Sequence, residues 1–143
     1  MADEQQCHGR ADGLENTGPL ICPKDHDTME TITVEDITID RCPTCGGMWF
    51  DLGELRQLLE ADGLEKEDLL RKDKAHAHVD VHRRIAICCP RDGFAMMQIH
   101  DATQRHIEYE LCMQCGGIFL DSGELRDLDK FTLLERLRAA TGR

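Results

Sequence analysis

Aromatic side chains are scarce in this sequence: one Trp, one Tyr and four Phe among 143 residues. Six rings divided between two small units cannot give each a self-sufficient core. Units below roughly 40 residues usually need disulfides, a metal or a partner. Also missing is any run of about 18 apolar residues, so no membrane span is expected. The opening "MADEQQCHGRADGLENTGP" is polar and acidic, without the apolar stretch of a signal peptide. The expected compartment is therefore cytoplasmic, where thiols stay reduced and CxxC spacing points to metal or redox chemistry. Basic residues are in deficit as well: 17 Lys and Arg stand against 28 Asp and Glu, a formal net charge of −11. Residues 1–40 carry ten acids against Arg10 and Lys24. That balance argues against direct nucleic-acid binding, which normally needs a basic stripe. It is also an ordinary way of keeping a small protein in solution.

Cysteine, by contrast, is abundant, with eight residues. The chain repeats itself around them. "CPTCGGMWFDLGEL" (42–55) returns 70 positions later as "CMQCGGIFLDSGEL" (112–125), and ten of seventeen positions agree between 42–58 and 112–128. "CPKDHDTM" (22–29) returns 67 positions later as "CPRDGFAM" (89–96). Each copy is thus Cys-Pro-x-Asp, about twenty residues, the CxxCGG string and a further apolar stretch. The second copy holds three extra residues between its halves.

Between those halves, "METITVEDITID" alternates Met29, Ile32, Val34, Ile37 and Ile39 with polar residues, which predicts a hairpin turning at "VED". "MMQIHDATQRHIEYEL" predicts a second hairpin around "DATQ", where the insertion belongs. After each string a helix is expected. Asp51 and Glu54 form an acidic capping box before Leu55, Leu58 and Leu59, and Asp121 and Glu124 repeat it before Leu125 and Leu128. Gly63 breaks or ends the first helix, and Glu65 to Lys74 suits an exposed linker helix. The expected fold is a small, metal-stabilised α+β protein: two tandem β-ribbons, each a hairpin followed by a short helix, joined by a partly helical linker. Its expected segments are a disordered acidic tail (1–18), ribbon one (19–60), linker (61–86), ribbon two (87–130) and a helical tail (131–143) with Phe131, Leu134 and Leu137 on its apolar side.

CxxC followed by Gly is the sequence of a zinc knuckle: two thiolates three apart on a tight turn reach one ion, and the glycines let backbone N–H groups face the sulfurs. A tetrahedral zinc needs four ligands, usually two from each of two knuckles. The remaining half of each site falls to "CPKD" and "CPRD". The expected ligands are Cys22, Asp25, Cys42 and Cys45 for one ion, and Cys89, Asp92, Cys112 and Cys115 for a second. Competing fourth ligands are His26, which has no counterpart in the second copy, and Cys88, which has none in the first. In a further alternative, Asp25 and Asp92 only accept hydrogen bonds from the knuckle backbone, and water or a histidine completes each site. Cys7 and Cys88 are left over, Cys7 as an exposed thiol. His76, His78 and His82 lie close together, and solvated side chains are expected there rather than a third metal site. Thioredoxin-type redox motifs sit at a helix start after a strand. Here each CxxC precedes Gly-Gly and stands several residues before the helix, which favours metal.

At "CPKD", "CPTCGGMWFDLGEL", "CPRD" and "CMQCGGIFLDSGEL" the sequence resembles the bacterial TFIIB-type zinc-ribbon, or transcription-factor zinc-finger, domain family, in two tandem copies. The resemblance covers roughly 22–58 and 89–128. It implies a zinc ribbon with a short helix after it. Met113 stands where the family pattern has Pro, and Phe119 where it has Trp. The name describes the ribbon's shape and assigns no role in transcription.

The expected function is that of a zinc-binding, non-enzymatic structural or adaptor protein. Its partner would be another protein, met by Trp49, Phe50, Ile118, Phe119 and acidic surface. The other reading of Trp49 is that it covers its own helix. One alternative function is a transcription-related ribbon contacting nucleic acid or polymerase. Another is a zinc- or redox-responsive sensor, or a zinc enzyme with three thiolates and a water, though no His or Glu shared by both copies is placed to act as base.

Overall fold

The computed structural model describes Cys7 and residues 19–73, 86–100 and 107–130. Six strands form one antiparallel sheet: β1 (Glu30–Val34), β2 (Ile37–Arg41), β3 (Met48–Phe50), β4 (Met97–His100), β5 (Glu108–Leu111) and β6 (Ile118–Leu120). Their order is β1-β2-β3-β6-β5-β4, so reading it from either end exchanges the two copies. The first hairpin turns at Glu35 and Asp36, both at positive φ (49° and 65°), as a two-residue turn matched to strand twist requires. The "DATQ" turn of the second hairpin lies outside the described residues.

Each copy has a third strand after its knuckle, which the two-stranded expectation missed. "MWF" and "IFL" are apolar throughout and only three residues long, so they carry no alternation to read. These short strands join the copies. Trp49 pairs with Phe119, Met48 with Leu120 and Phe50 with Ile118. The two ribbons are therefore halves of one sheet.

The alternation within these strands divides the interior between the two faces of the sheet. Met48, Phe50 and Leu120 join Val34, Ile37 and Ile39 on one face, with Leu55, Leu58, Leu125 and Leu128 packed over them. Trp49 and Phe119 point to the other face, among Leu20, Met29, Ile87 and the cysteines of the knuckles. Met29 therefore leaves the face that holds Ile32 and Val34. Neither copy owns a complete core, and the three large buried rings, Trp49, Phe50 and Phe119, are pooled where the copies meet.

Three helical segments lie on the first face: α1 (Glu54–Glu60), α2 (Leu64–Lys72) and α3 (residues 124–130). Asp51 does not cap α1 with its carboxylate. The N-cap is Gly53, at φ 87°, with no side-chain cap bond. Only the reciprocal half of the expected box forms, in which Glu54 Oε1 accepts the Asp51 N–H at 2.8 Å. The Asp51 carboxylate is used elsewhere, as described below.

Helix α2 is more than an exposed linker. Leu69 enters the core, and Lys66 is buried. Lys66 Nζ donates to the carbonyls of Leu59 (3.0 Å) and Ala61 (2.7 Å) near the end of α1, and it lies 2.8 Å from Asp129 of α3. Asp73, just past α2, accepts the N–H groups of Gly123 (2.8 Å) and Arg126 (3.0 Å). The cap of α3 thus comes from the linker and not from Asp121. Burial raises the Asp73 carboxyl above its ordinary value, against these two bonds. No helix among the described residues is long and apolar enough to cross a membrane. The tail segments, with Phe131, Leu134 and Leu137, lie outside the described residues.

Candidate metal centres

Four turns build the two sites, and all four have one shape. In each, the N–H of the fifth residue donates to the carbonyl of the leading Cys: His26 to Cys22, Gly46 to Cys42, Gly93 to Cys89 and Gly116 to Cys112, all at 2.9 Å. Each fifth residue has positive φ, between 65° and 79°. Each leading Cys N–H donates in turn to the carbonyl of the sixth residue, at 2.7–2.9 Å. "CPKDH" and "CPRDG" therefore fold as knuckles, with Asp25 and Asp92 where the CxxC strings carry their second Cys.

The parallel extends to the donor atoms. Gly47 N–H points at Cys45 Sγ (3.3 Å), and Asp27 N–H donates to Asp25 Oδ1 (3.0 Å) from the equivalent position. Phe94 N–H does the same for Asp92 Oδ1 at 3.0 Å. Accepting a backbone bond and facing the thiols are thus compatible for these carboxylates.

Cys22, Asp25, Cys42 and Cys45 bring one donor atom each within 4.8 Å of one another, as do Cys89, Asp92, Cys112 and Cys115. Cys22 Sγ and Cys45 Sγ are 3.8 Å apart, and Cys89 Sγ and Cys115 Sγ 3.7 Å. Tetrahedral zinc with bonds of about 2.3 Å to sulfur holds its sulfurs about 3.8 Å apart. The carboxylate oxygens lie 3.3 and 3.4 Å from Cys42 Sγ and 3.2 and 3.5 Å from Cys112 Sγ. Bonds of about 2.3 and 2.1 Å at a tetrahedral angle give about 3.6 Å, so the donor sets fit such an ion.

The electrostatics suit a cation. Contact with Cys45, and then burial, drives the Cys22 thiol far above its usual value. Burial lifts Cys42 and Cys115 to about 11. Burial also acts to raise Asp25 and Asp92. The N–H groups of Asp27 and Phe94 and the neighbouring thiols outweigh it, and both carboxyls fall below their ordinary values. Each cluster thus sets a carboxyl held below its ordinary value beside two thiols raised above theirs, Cys22 and Cys42 in one and Cys89 and Cys115 in the other.

His26 and Cys88 belong to neither cluster. His26 is exposed and occupies the left-handed position of its knuckle. Cys88 is joined to Cys7 in a disulfide, with Cα atoms 5.4 Å apart. This corrects the expectation of a free thiol at Cys7. No periodicity or motif could have paired two cysteines 81 positions apart. His76, His78 and His82 lie outside the described residues.

Sequence reasoning also missed what surrounds the sites. The residue inside each Cys-Pro-x-Asp knuckle is basic, and in both copies it reaches across to the other ribbon. Lys24 Nζ, with no side-chain exposure, lies 2.8 Å from Asp121 and 3.1 Å from Glu110, and 5.8 Å from the centre of the Phe119 ring. Arg91 donates from Nε and Nη2 to the two oxygens of Asp51 (3.0 and 2.8 Å), and its Nη2 stands 3.7 Å from Asp40. Trp49 Nε1 also donates to Asp51, at 3.0 Å. The sequence did hold a signal for this: a basic residue at the same place in both copies of a chain short of bases.

The apolar contacts cross in the same reciprocal way. A Cβ on Gly117 would collide with the indole of Trp49, and one on Gly47 with the ring of Phe119. Trp49, Phe50 and Phe119 are buried, all at 0% exposure, so three of the four apolar residues expected to meet a partner are interior, and the fourth, Ile118, is half-buried. Trp49 covers the other copy's knuckle and not its own helix.

A family model described as transcription factor zinc-finger matches the chain twice, over residues 21–61 and 88–129, together more than half its length. The chain belongs to that family. It is a tandem zinc-ribbon protein with two potential metal sites, and each match holds one full cluster. No curated protein and no solved structure shows significant similarity to it.

Proposed function

We propose that this zinc-ribbon protein binds two zinc ions as structural elements and works without catalysis, as a compact module that meets another protein. The observation that carries this reading is the closed donor set. Each cluster supplies three thiols and a carboxylate within 4.8 Å of one another. Structural zinc takes four protein ligands, whereas catalytic zinc keeps one position for water. Cys22, Asp25, Cys42 and Cys45 would hold one ion, and Cys89, Asp92, Cys112 and Cys115 the other. Bound zinc would supply folding free energy, because the unfolded chain holds no preformed site to bind it. Three thiolates with a hard carboxylate oxygen suit zinc well, and a dedicated iron–sulfur site less so.

The partner surface is not the aromatic set Trp49, Phe50 and Phe119, which is spent on joining the ribbons. With a net charge of −11, the partner best matched by charge is a protein with a basic face. The family's description favours one further reading, in which that partner is a transcription protein. Direct binding to phosphate backbones meets the same charge as an obstacle.

Native mass spectrometry of the freshly purified chain tests the zinc reading. Two zinc ions per chain are expected. A metal-free chain that keeps its fold would refute it. Gel-shift assays with labelled DNA and RNA at low and moderate salt should show no shift, and a salt-sensitive shift would replace the protein partner with nucleic acid.

A further inference from the structure

We propose that the two metal sites load as one cooperative unit, each site's knuckles ordering the contacts that complete the other. This rests on the zinc reading above. It goes beyond that reading because two ribbons on a linker would by default bind their ions independently.

Three kinds of contact cross between the copies, each in both directions or nearly so. Among charges, the first site's Lys24 lies buried against Asp121 and Glu110 of the second ribbon, and the second site's Arg91 holds Asp51 of the first. Among rings, Trp49 seats on Gly117 and Phe119 on Gly47, each glycine following a metal-site cysteine by two residues. In the backbone, β3 and β6 pair along their whole length. Leu52 adds a contact to Gly116, in the CxxC knuckle of the second site.

These contacts bear on the sites because they emerge from the knuckles themselves. Lys24 sits between Cys22 and Asp25, and Arg91 between Cys89 and Asp92. A chain with one ordered site would leave Lys24 or its two acids without partners, and would expose Trp49 or Phe119. Both rings are fully buried when the halves meet. A ribbon of about forty residues has no spare core to absorb that loss. The singly loaded chain is therefore the unfavourable species, which is what coupling between sites means.

The test is a zinc titration of the full, reduced chain against a competing chelator, read by native mass spectrometry. Independent equivalent sites put about half the chains in the one-ion state at half saturation. A coupling of about 100-fold, toward the upper end of the usual range, lowers that share to about 10%. Two inequivalent sites can distort the share, so a second measurement accompanies it. In a C112S/C115S chain, whose first site keeps all its ligands, zinc affinity at that site should fall about 100-fold below its value with the second site loaded, which weakens the titration midpoint about 10-fold relative to the parent. An R91M chain, with all eight ligands in place, should show a larger one-ion share than the parent. Unchanged first-site affinity in C112S/C115S, or an R91M distribution identical to the parent's, would overturn the coupling. A parent chain that takes up no zinc would instead overturn the reading beneath it.

Discussion

Trp49 of the first ribbon stands over Gly117 of the second so closely that the glycine has no room for a side chain. A single hydrogen atom at that position lets the indole lie on the neighbouring knuckle while its Nε1 donates to Asp51. The duplication repeats the arrangement with Phe119 over Gly47. The second glycine of each CxxCGG string is therefore required by the other copy of the string.

Enlarging either glycine should separate the halves. Gly117→Val and Gly47→Val force displacement of a buried ring, and overpacking of this kind costs about 1–3 kcal/mol. Urea unfolding of the zinc-loaded protein should show the loss. The exposed Leu52 provides a control, because Leu52→Gln should give a smaller change than either glycine variant.

The two crossing cations should differ in consequence. Lys24→Met leaves Glu110 and Asp121 buried without their counter-ion, and breaking a buried pair in this way costs about 3–5 kcal/mol. Arg91 is a third exposed and Asp51 more so, so water compensates in part and Arg91→Met should cost distinctly less. Chemical denaturation of both variants at equal zinc loading checks the order, and equal costs would contradict it.

Asp73 should behave as a cap acting across the fold. Asp73→Ala leaves the Gly123 and Arg126 N–H groups unpaired and should cost about 1–2 kcal/mol. Asp73→Asn keeps an acceptor. Because burial raises this carboxyl in the folded state, its protonation favours folding below the unfolded value of 3.8, and that contribution is lost as pH rises through the folded value. Asn has one acceptor oxygen and sets its NH2 against the other N–H, so the Asn variant should fall between the Ala variant and the parent at neutral pH, and it should lose further ground to the parent as pH falls toward 4.

The carboxylate positions are tested by exchange. Asp25→Cys restores an ordinary CxxC knuckle and should keep zinc binding, whereas Asp25→Ala should weaken it. The Asp92 variants should follow the same order. Competition with a chromogenic chelator measures this directly. An alanine variant that binds as tightly as the parent would leave the carboxylate only its backbone bond.

Much of this was legible in the sequence. The Cys-Pro-x-Asp and CxxCGG spacings fixed which residues would meet, because a knuckle is a local turn whose shape depends on five or six consecutive residues. The first hairpin showed itself through strict alternation and the two residues of its turn. What stayed hidden was long-range. Asp51 before a leucine stripe reads as a helix cap, and only the folded chain brings Arg91 to it from forty positions away. Trp49 beside a knuckle reads as a surface anchor until β6 is known to pair with β3. The cap from Asp73 and the Cys7–Cys88 bond have no local pattern at all.

The central claim is that metal holds both ribbons in one fold, and metal removal tests it most directly. The reduced protein is stripped with a strong chelator, and its far-UV circular dichroism is followed with the residual zinc count. The account predicts loss of the ordered spectrum in a single step, and its recovery when two equivalents of zinc are returned. An unchanged spectrum after complete removal of metal would contradict it.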